Sequence, residues 1–323
     1  MKAIILAAGL GKRMRPLTRL RAKPALPVLN RPLLHWTLLA LRAAGVREVL
    51  INTHHRPASI RRAVGSGRGY GLRVVYSHER RILGSLGGLV KARRFFGSRT
   101  FLAVNGDMVF DFDLRRMVEQ HRASRALATL SLQPFPRQGS YRAIVTDPRG
   151  RLLSFGGYPT PARGRAWHFT GVQVLEPALL DGLVSGYSES PRDLYGPLIA
   201  AGARVFGCPL SGAWYDLSSP PLYLSSQLQL LQQGFGQKKP RDRVCVAATA
   251  RIGRGARVEQ SVIGEGCVIG SGALVLNSVL WDGARVGSGA RVEASVLASG
   301  ARARAGERVR NRIRGRYIDE KLR

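Results

Sequence analysis

The last quarter of the chain keeps a register that few folds can accommodate. Aliphatic residues stand at Val246, Ile252 and Val258, then at Ile263, Ile269 and Val275, at Leu280, Val286 and Val292, and at Leu297, Ala303 and Val309. The steps are six, six and five residues, so the pattern returns every 17. One aliphatic on each of three faces, stacked coil on coil, makes a continuous apolar column, the arrangement of a three-sided parallel β-helix. Ordinary glycine-rich loops do not produce a strict period. A repeat stack is stable only with its end covered. Residues 311–323 are expected to cap it or to pack on a neighbouring subunit, and the small, regular faces predict a homo-oligomer through the β-helix.

A breaker-rich segment, Gly234-Phe235-Gly236-Gln237-Lys238-Lys239-Pro240, precedes the repeat. It divides the chain into residues 1–233, a linker at 234–243, the repeat at 244–310 and a tail at 311–323. The first part opens on an apolar run, residues 2–7, of the kind that forms a buried central strand. The run stops at Ala8-Gly9-Leu10-Gly11, where two glycines allow a sharp turn and bring N–H groups close to an anion. Lys12, Arg13, Arg15 and Lys23 follow, fixed charges suited to phosphate oxygens. Nothing supplies the P-loop pattern, and Met14 stands where a dinucleotide fingerprint needs its third glycine. The string reads as a nucleotide-phosphate cradle.

Strands and helices then alternate. A helix is predicted from Pro32 to the stop at Gly45, with others at 57–64 and 86–95, and strands at 48–52, 72–76 and 100–105. That order predicts an α/β fold, three-layer and Rossmann-like, with a mainly parallel sheet. Ligands on such sheets sit beyond the carboxyl ends of the strands. Further segments at 126–132, 142–146 and 165–175 are expected to form a lid beside this sheet.

Two more motifs fall at strand ends. Leu83-Gly84-Ser85-Leu86-Gly87-Gly88 follows Glu79, and its glycines suit either close packing or a flat ligand against the backbone. Val104-Asn105-Gly106-Asp107 puts one carboxylate at the rim of the sheet, where it suits a hard cation. Asp111-Phe112-Asp113 matches the short D-x-D of metal-dependent glycosyltransferases, although Asp113 also suits a helix cap.

These strings resemble the signature segments of sugar-phosphate nucleotidyltransferases. LAAGLGKRMRPLT followed by KP resembles the signature loop, with Lys12 where Thr or Ser is usual. Leu83–Gly88 resembles the base-side segment, with Ser85 in place of Thr. Trp214-Tyr215-Asp216-Leu217-Ser218-Ser219-Pro220 resembles W-x-D-[IV]-G-T-P, with Ser218-Ser219 in place of Gly-Thr. Trp167 to Pro177 resembles the strand lining the sugar pocket. The resemblance implies nucleotide contacts from Leu6, Ala8, Gly9, Gly11, Lys12, Arg13, Glu79, Gly84, Ser85, Gly87 and Gly88. It implies sugar contacts from Asn105, Gly106, Tyr158, Thr170 and Gly171, with Tyr158 where many relatives carry a lysine. Magnesium (Mg2+) on Asp107 and Asp216 is implied as cofactor, with Arg13, Lys23 and Asp107 as the catalytic set. Over the whole chain the resemblance is to mannose-1-phosphate guanylyltransferases and related bacterial NDP-sugar synthases. A nucleoside triphosphate and a sugar 1-phosphate are the expected substrates, GTP and mannose 1-phosphate first among them. A catalytically silent nucleotide-binding subunit and a D-x-D glycosyltransferase remain as alternatives. The hexapeptide pattern likewise resembles the left-handed β-helix attached to many such enzymes.

Composition sets the remaining bounds. No apolar run approaches the ~18–20 residues that span a bilayer, and the amino terminus has no signal-peptide pattern. Cys208, Cys245 and Cys267 are widely spaced and odd in number, and His54, His55 and His78 match no ligand spacing. A cytoplasmic, reduced setting is expected. The 51 basic against 20 acidic residues give a net +31, which attracts polyanions in a salt-dependent way. No base-reading motif accompanies the arginines, which argues against a specific nucleic-acid partner.

Overall fold

The computed structural model describes residues 1–136, 141–236 and 243–322. Most of the linker expected at 234–243 lies outside the described residues. The chain forms two compact units, one of Met1–Leu10 with Leu34–Trp214, the other of Gly11–Leu33 with Tyr215–Arg323.

In the first unit the apolar run forms the strand Lys2–Leu6, paired in parallel with Glu48–Thr53 on one side and Phe101–Asn105 on the other. Its Ala3, Ile4 and Ile5 are fully buried, as a central strand of an α/β sheet requires. Arg73–His78 extends the sheet in parallel beyond Glu48–Thr53. The helices Leu33–Ala43, Pro57–Val64 and Gly84–Phe96 connect these strands. The expected lid is instead part of the same sheet, which has nine strands. The cause is the length of Arg165–Leu175. Its carboxyl half pairs antiparallel with Phe101–Asn105, and its amino half with Ala143–Thr146. Ala128–Pro134 pairs along the other edge of the long strand.

In the second unit the repeat builds three ladders of parallel strands, as a parallel β-helix requires. Val246 pairs with Ile263, Ile269 with Val286, and Val275 with Val292, each 17 residues on. Ile263, Ile269, Val275, Leu280, Val286, Val292, Leu297, Ala303 and Val309 form one buried cluster. The first coil departs from the expected column. Val246 is 40% and Ile252 44% exposed, since no coil among the described residues precedes theirs. At the other end Arg312–Gly315 continues one ladder and Ile318–Lys321 folds back on it antiparallel, closing that edge.

Two details explain the non-aliphatic positions of the repeat. A Cβ on Gly253, Gly270 or Gly287 would lie 2.6, 2.5 or 2.4 Å from the backbone of the next coil. The equivalent residue of the next coil is Arg304, which no further coil among the described residues covers. At one corner Gln260, Asn277, Ala294 and Asn311 all have left-handed φ of 42–53°. The serine after each of the first three is fully buried, and its hydroxyl accepts the N–H of the following coil at 3.0–3.1 Å. The serine thereby supplies an acceptor where the ladder turns. Alanine suits a left-handed corner less well than the asparagines at 277 and 311. Ala294→Asn is therefore expected to stabilise the protein by about 0.5–1 kcal/mol, read as a raised midpoint in denaturant.

The segment Gly11–Leu33 packs in the second unit through specific bonds. The Trp281 indole donates to the Tyr223 hydroxyl at 2.9 Å, and that hydroxyl donates to the Pro27 carbonyl. The Leu29 N–H donates to Gln227 at 3.0 Å, and the Asn30 amide donates to the Ile263 carbonyl at 2.8 Å.

Candidate active site

The carboxyl ends of the central strands stand level, Leu6 in register with Asn52 and with Asn105. Asn52, only 3% exposed, accepts the Ala7 N–H on Oδ1 at 2.6 Å and donates from Nδ2 to Glu79 Oε1 at 2.7 Å. The second Glu79 oxygen accepts the Leu83 N–H at 3.1 Å. Glu79 is 1% exposed, so its carboxylate ties two loops together rather than presenting a free edge to a base. Asn52 was not singled out from sequence. A polar side chain near the end of an apolar strand was the only signal.

Past Ala7 the loop opens to solvent. Ala8 is buried and Gly9 is exposed. A Cβ on Gly9 would meet nothing within 4 Å, and its φ lies outside the left-handed region. The fold itself therefore does not demand glycine there, and the open space leaves the backbone accessible to a close-approaching group. The loop passes into the second unit at Gly11. Gly11 has a φ of 60°, and its carbonyl accepts the Met14 N–H at 3.0 Å and the Thr18 hydroxyl at 2.9 Å. A Cβ on it would lie 2.8 Å from Thr18 Cγ2 and 3.5 Å from Lys23 Cβ. Buried Met14, Leu17 and Thr18 anchor this turn, leaving Lys12 and Arg13 exposed and Lys23 buried.

The segment Leu83–Gly88 is held by the chain itself. Cβ atoms on Gly84 and Gly87 would lie 2.3 Å from the Ser188 carbonyl and 2.1 Å from the Gly186 carbonyl. On Gly88 a Cβ would meet the Asn52 amide at 2.8 Å. The Ser85 hydroxyl donates to Glu189 at 2.7 Å and accepts the Ser190 N–H at 2.8 Å. Close packing of residues 186–190 thus accounts by itself for the glycines at 84 and 87 and for the Ser85 hydroxyl.

Where the sugar contacts are expected, Gly171 has a φ of 85°, and a Cβ there would lie 3.0 Å from the Asn105 amide. A Cβ on Gly106 would lie 3.1 Å from the Leu6 carbonyl and 3.3 Å from Ala7 Cβ. Leu6, Asn105, Gly106 and Gly171 are therefore brought together, with half-buried Asp107 next in the turn after the strand. Thr170 is not part of this rim. It is 1% exposed, and its hydroxyl bonds Ser131 at 2.5 Å where the pairing of the long strand bulges. Tyr158 closes a two-residue turn over Gly156 and Gly157, both with left-handed φ.

The D-x-D carboxylates have structural partners. Asp113 caps the helix Leu114–Ala123, accepting the Arg115 and Arg116 N–H groups at 2.9 and 3.4 Å. Asp111 Oδ1 accepts the Ala213 N–H at 2.5 Å. That arrangement speaks against the glycosyltransferase alternative. Asp216 ends the strand Trp214–Asp216, and the Ser218 hydroxyl donates to its Oδ2 at 2.7 Å. Among the described residues, no group of three or more His, Cys, Asp or Glu side chains could hold a metal ion. Asp107 and Asp216 each offer hard carboxylate oxygens, the donor type magnesium takes alongside substrate phosphates and water. All three cysteines are free, and burial raises each thiol, Cys208 to about 11. No thiolate nucleophile is available at neutral pH.

Comparison with known proteins agrees with this geometry. Residues 2–233 match the model of the nucleotidyl transferase family, and residues 241–319 match the GMPPB C-terminal domain. The chain is 31% identical to a UTP–glucose-1-phosphate uridylyltransferase of Synechocystis over 83% of its own length and 80% of the relative's. It is 28% identical to a mannose-1-phosphate guanylyltransferase of Mycobacterium tuberculosis over 83% and 79%. It is 33% identical to an N-acetylmuramate alpha-1-phosphate uridylyltransferase of Neisseria meningitidis over 68% and 94%. A solved Bacillus anthracis chain named as a glucose-1-phosphate thymidylyltransferase shares the fold, with a TM-score of 0.63, 21% identity, and coverage of 71% of this chain and 94% of that one. No helix among the described residues is long and apolar enough to cross a membrane. With an exposed glycine-cation loop and a Gly-Asp turn at the ends of its central strands, and a match over residues 2–233, the chain belongs to the nucleotidyl transferase family.

Proposed function

We propose that the protein transfers a nucleotidyl group from a nucleoside triphosphate to a sugar 1-phosphate, giving an NDP-sugar and pyrophosphate, with GTP and mannose 1-phosphate as its pair. The observation that carries this reading is the open space over Gly9, followed by the exposed cations Lys12 and Arg13. A sugar 1-phosphate is already an anionic nucleophile at neutral pH, so positioning and charge neutralisation suffice. Backbone N–H groups at Gly9–Gly11, with Lys12 and Arg13, hold the triphosphate. Lys23 stabilises negative charge near the reacting phosphorus. The sugar-phosphate oxygen forms the new bond to the α-phosphorus as the bond to the β-phosphate oxygen breaks, and pyrophosphate carries that electron pair away. Magnesium held by Asp107 and Asp216 would supply further charge neutralisation at these phosphates.

The match of residues 241–319 to the GMPPB C-terminal domain supports the guanine–mannose pair. A uridine–glucose pair is the second reading, favoured by the Synechocystis relative at 31% identity. Purified protein offered each NTP with mannose, glucose and N-acetylmuramate 1-phosphates should release pyrophosphate fastest with GTP and mannose 1-phosphate. Faster release with UTP and glucose 1-phosphate selects the second reading. Nucleotide binding without release from any pair leaves only a silent subunit.

A further inference from the structure

The +31 charge is not used up by the phosphate loop, and part of it converges on the β-helix. A cleft of about 1310 Å³ lies in the second unit between its last coils and the hairpin Arg312–Lys321. Arg285, Arg302, Arg304 and Arg316 line it, together with Tyr317 at the hairpin tip. Arg285 and Arg302 are register partners on adjacent strands, which run about 4.8 Å apart. The carboxylates on its wall are already engaged, Glu307 by Arg314 at 2.8 Å and Asp319 by Arg312 and Arg314 at 2.8 and 3.1 Å. Arg285, Arg302, Arg304 and Arg316 form no ion pair among the described residues, so the cleft keeps a net positive charge.

We propose that this cleft binds the di- or triphosphate group of a small molecule, at a site additional to the loop described above. Guanidinium groups pair with phosphate oxygens bidentately, and adjacent strands carry two of them in register, so that more than one phosphate can be engaged. A long polyanion fits less well, because the basic row is not continuous. The ladder that carries Arg251, Arg285 and Arg302 is interrupted by Val268. On the adjoining ladder Arg257 and Arg291 are paired with Glu259 and Glu293 at 2.5 and 3.3 Å. Tyr317, 89% exposed, offers a ring face to a nucleoside carried by the phosphates. The wall is also tied to the loop segment. Arg21 donates to Ser299 at 2.8 Å and to Asp282 at 3.0 Å, and Arg19 donates to Glu320 at 3.3 Å.

Calorimetric titration of the full chain at physiological salt tests the proposal, with inorganic tripolyphosphate as first probe and GTP and UTP as the second arm. Wild-type protein should show two classes of site. Arg13→Ala should weaken only the loop site. Arg302→Ala with Arg304→Ala should weaken the other by about tenfold or more, at an unchanged thermal midpoint because both side chains are exposed. GTP and UTP binding the cleft more tightly than tripolyphosphate marks a nucleotide as the source, and equal affinity marks the phosphate group alone. If the double variant retains both sites, or if a short single-stranded RNA displaces tripolyphosphate from the cleft at lower concentration, the proposal is overturned. A wild-type titration that shows the cleft site but no loop site would count against the proposed transferase reading and leave the cleft standing.

Discussion

Asp107→Asn and Asp216→Asn are each expected to slow turnover by roughly 10²–10³, the loss of about 3–4 kcal/mol of transition-state stabilisation. Asparagine keeps the size of the side chain and removes the charge that suits a hard cation. In Asp216 the Ser218 hydroxyl donates to Oδ2, and the amide oxygen of asparagine still accepts that bond, so the fold should survive. Nucleotide affinity measured without metal should change much less, because the glycine loop is intact. Asp111→Asn is the control. Its Oδ1 accepts a backbone N–H from Ala213, a bond that asparagine also accepts, so turnover should stay near wild type. Abolished activity in Asp111→Asn, with both other variants active, would overturn the metal assignment.

Two glycine substitutions should separate ligand contact from packing. Gly87→Ala drives a Cβ to 2.1 Å from the Gly186 carbonyl. That is a backbone atom, so relief requires moving residues 186–190, and the expected cost is about 1–3 kcal/mol or more. A lowered unfolding midpoint reads it directly. Gly9→Ala meets nothing within 4 Å, and a compatible backbone gains about 0.4–1 kcal/mol from a stiffer unfolded chain. Its unfolding midpoint should hold or rise while triphosphate binding weakens about tenfold, the loss of one close N–H contact to an anion. Unchanged binding in Gly9→Ala would remove the phosphate-cradle role from this loop.

The contrast between these glycines shows what sequence could and could not reveal. A period of 17 was legible because each coil repeats the same local demand, and Val275 above Val258 is a consequence of spacing alone. The parallel strands were legible for a similar reason, since burial on both faces writes a short apolar run. Ser85 was not, because the partner that fixes its hydroxyl is Glu189, 104 residues away. A carboxylate near a strand end, such as Glu79, looks available to a ligand until Asn52 and Leu83 are seen to bond it. Thr170 followed the same logic. Its place in a bulge depends on Ser131 across the strand pair, and no local pattern records that. Trp281 replaces the small residues found one coil before and after it, Gly264 and Ala298. The odd residue in the series was visible, but its bond to Tyr223 came only with the fold.

The most direct test of the transferase account is the fate of the α-phosphate. Protein incubated with magnesium, a sugar 1-phosphate and a triphosphate labelled at the α-phosphorus should place the label in an NDP-sugar, with one unlabelled pyrophosphate released for each. Label recovered only in the unreacted triphosphate, or in nucleoside mono- or diphosphate with the sugar phosphate unconsumed, would contradict it.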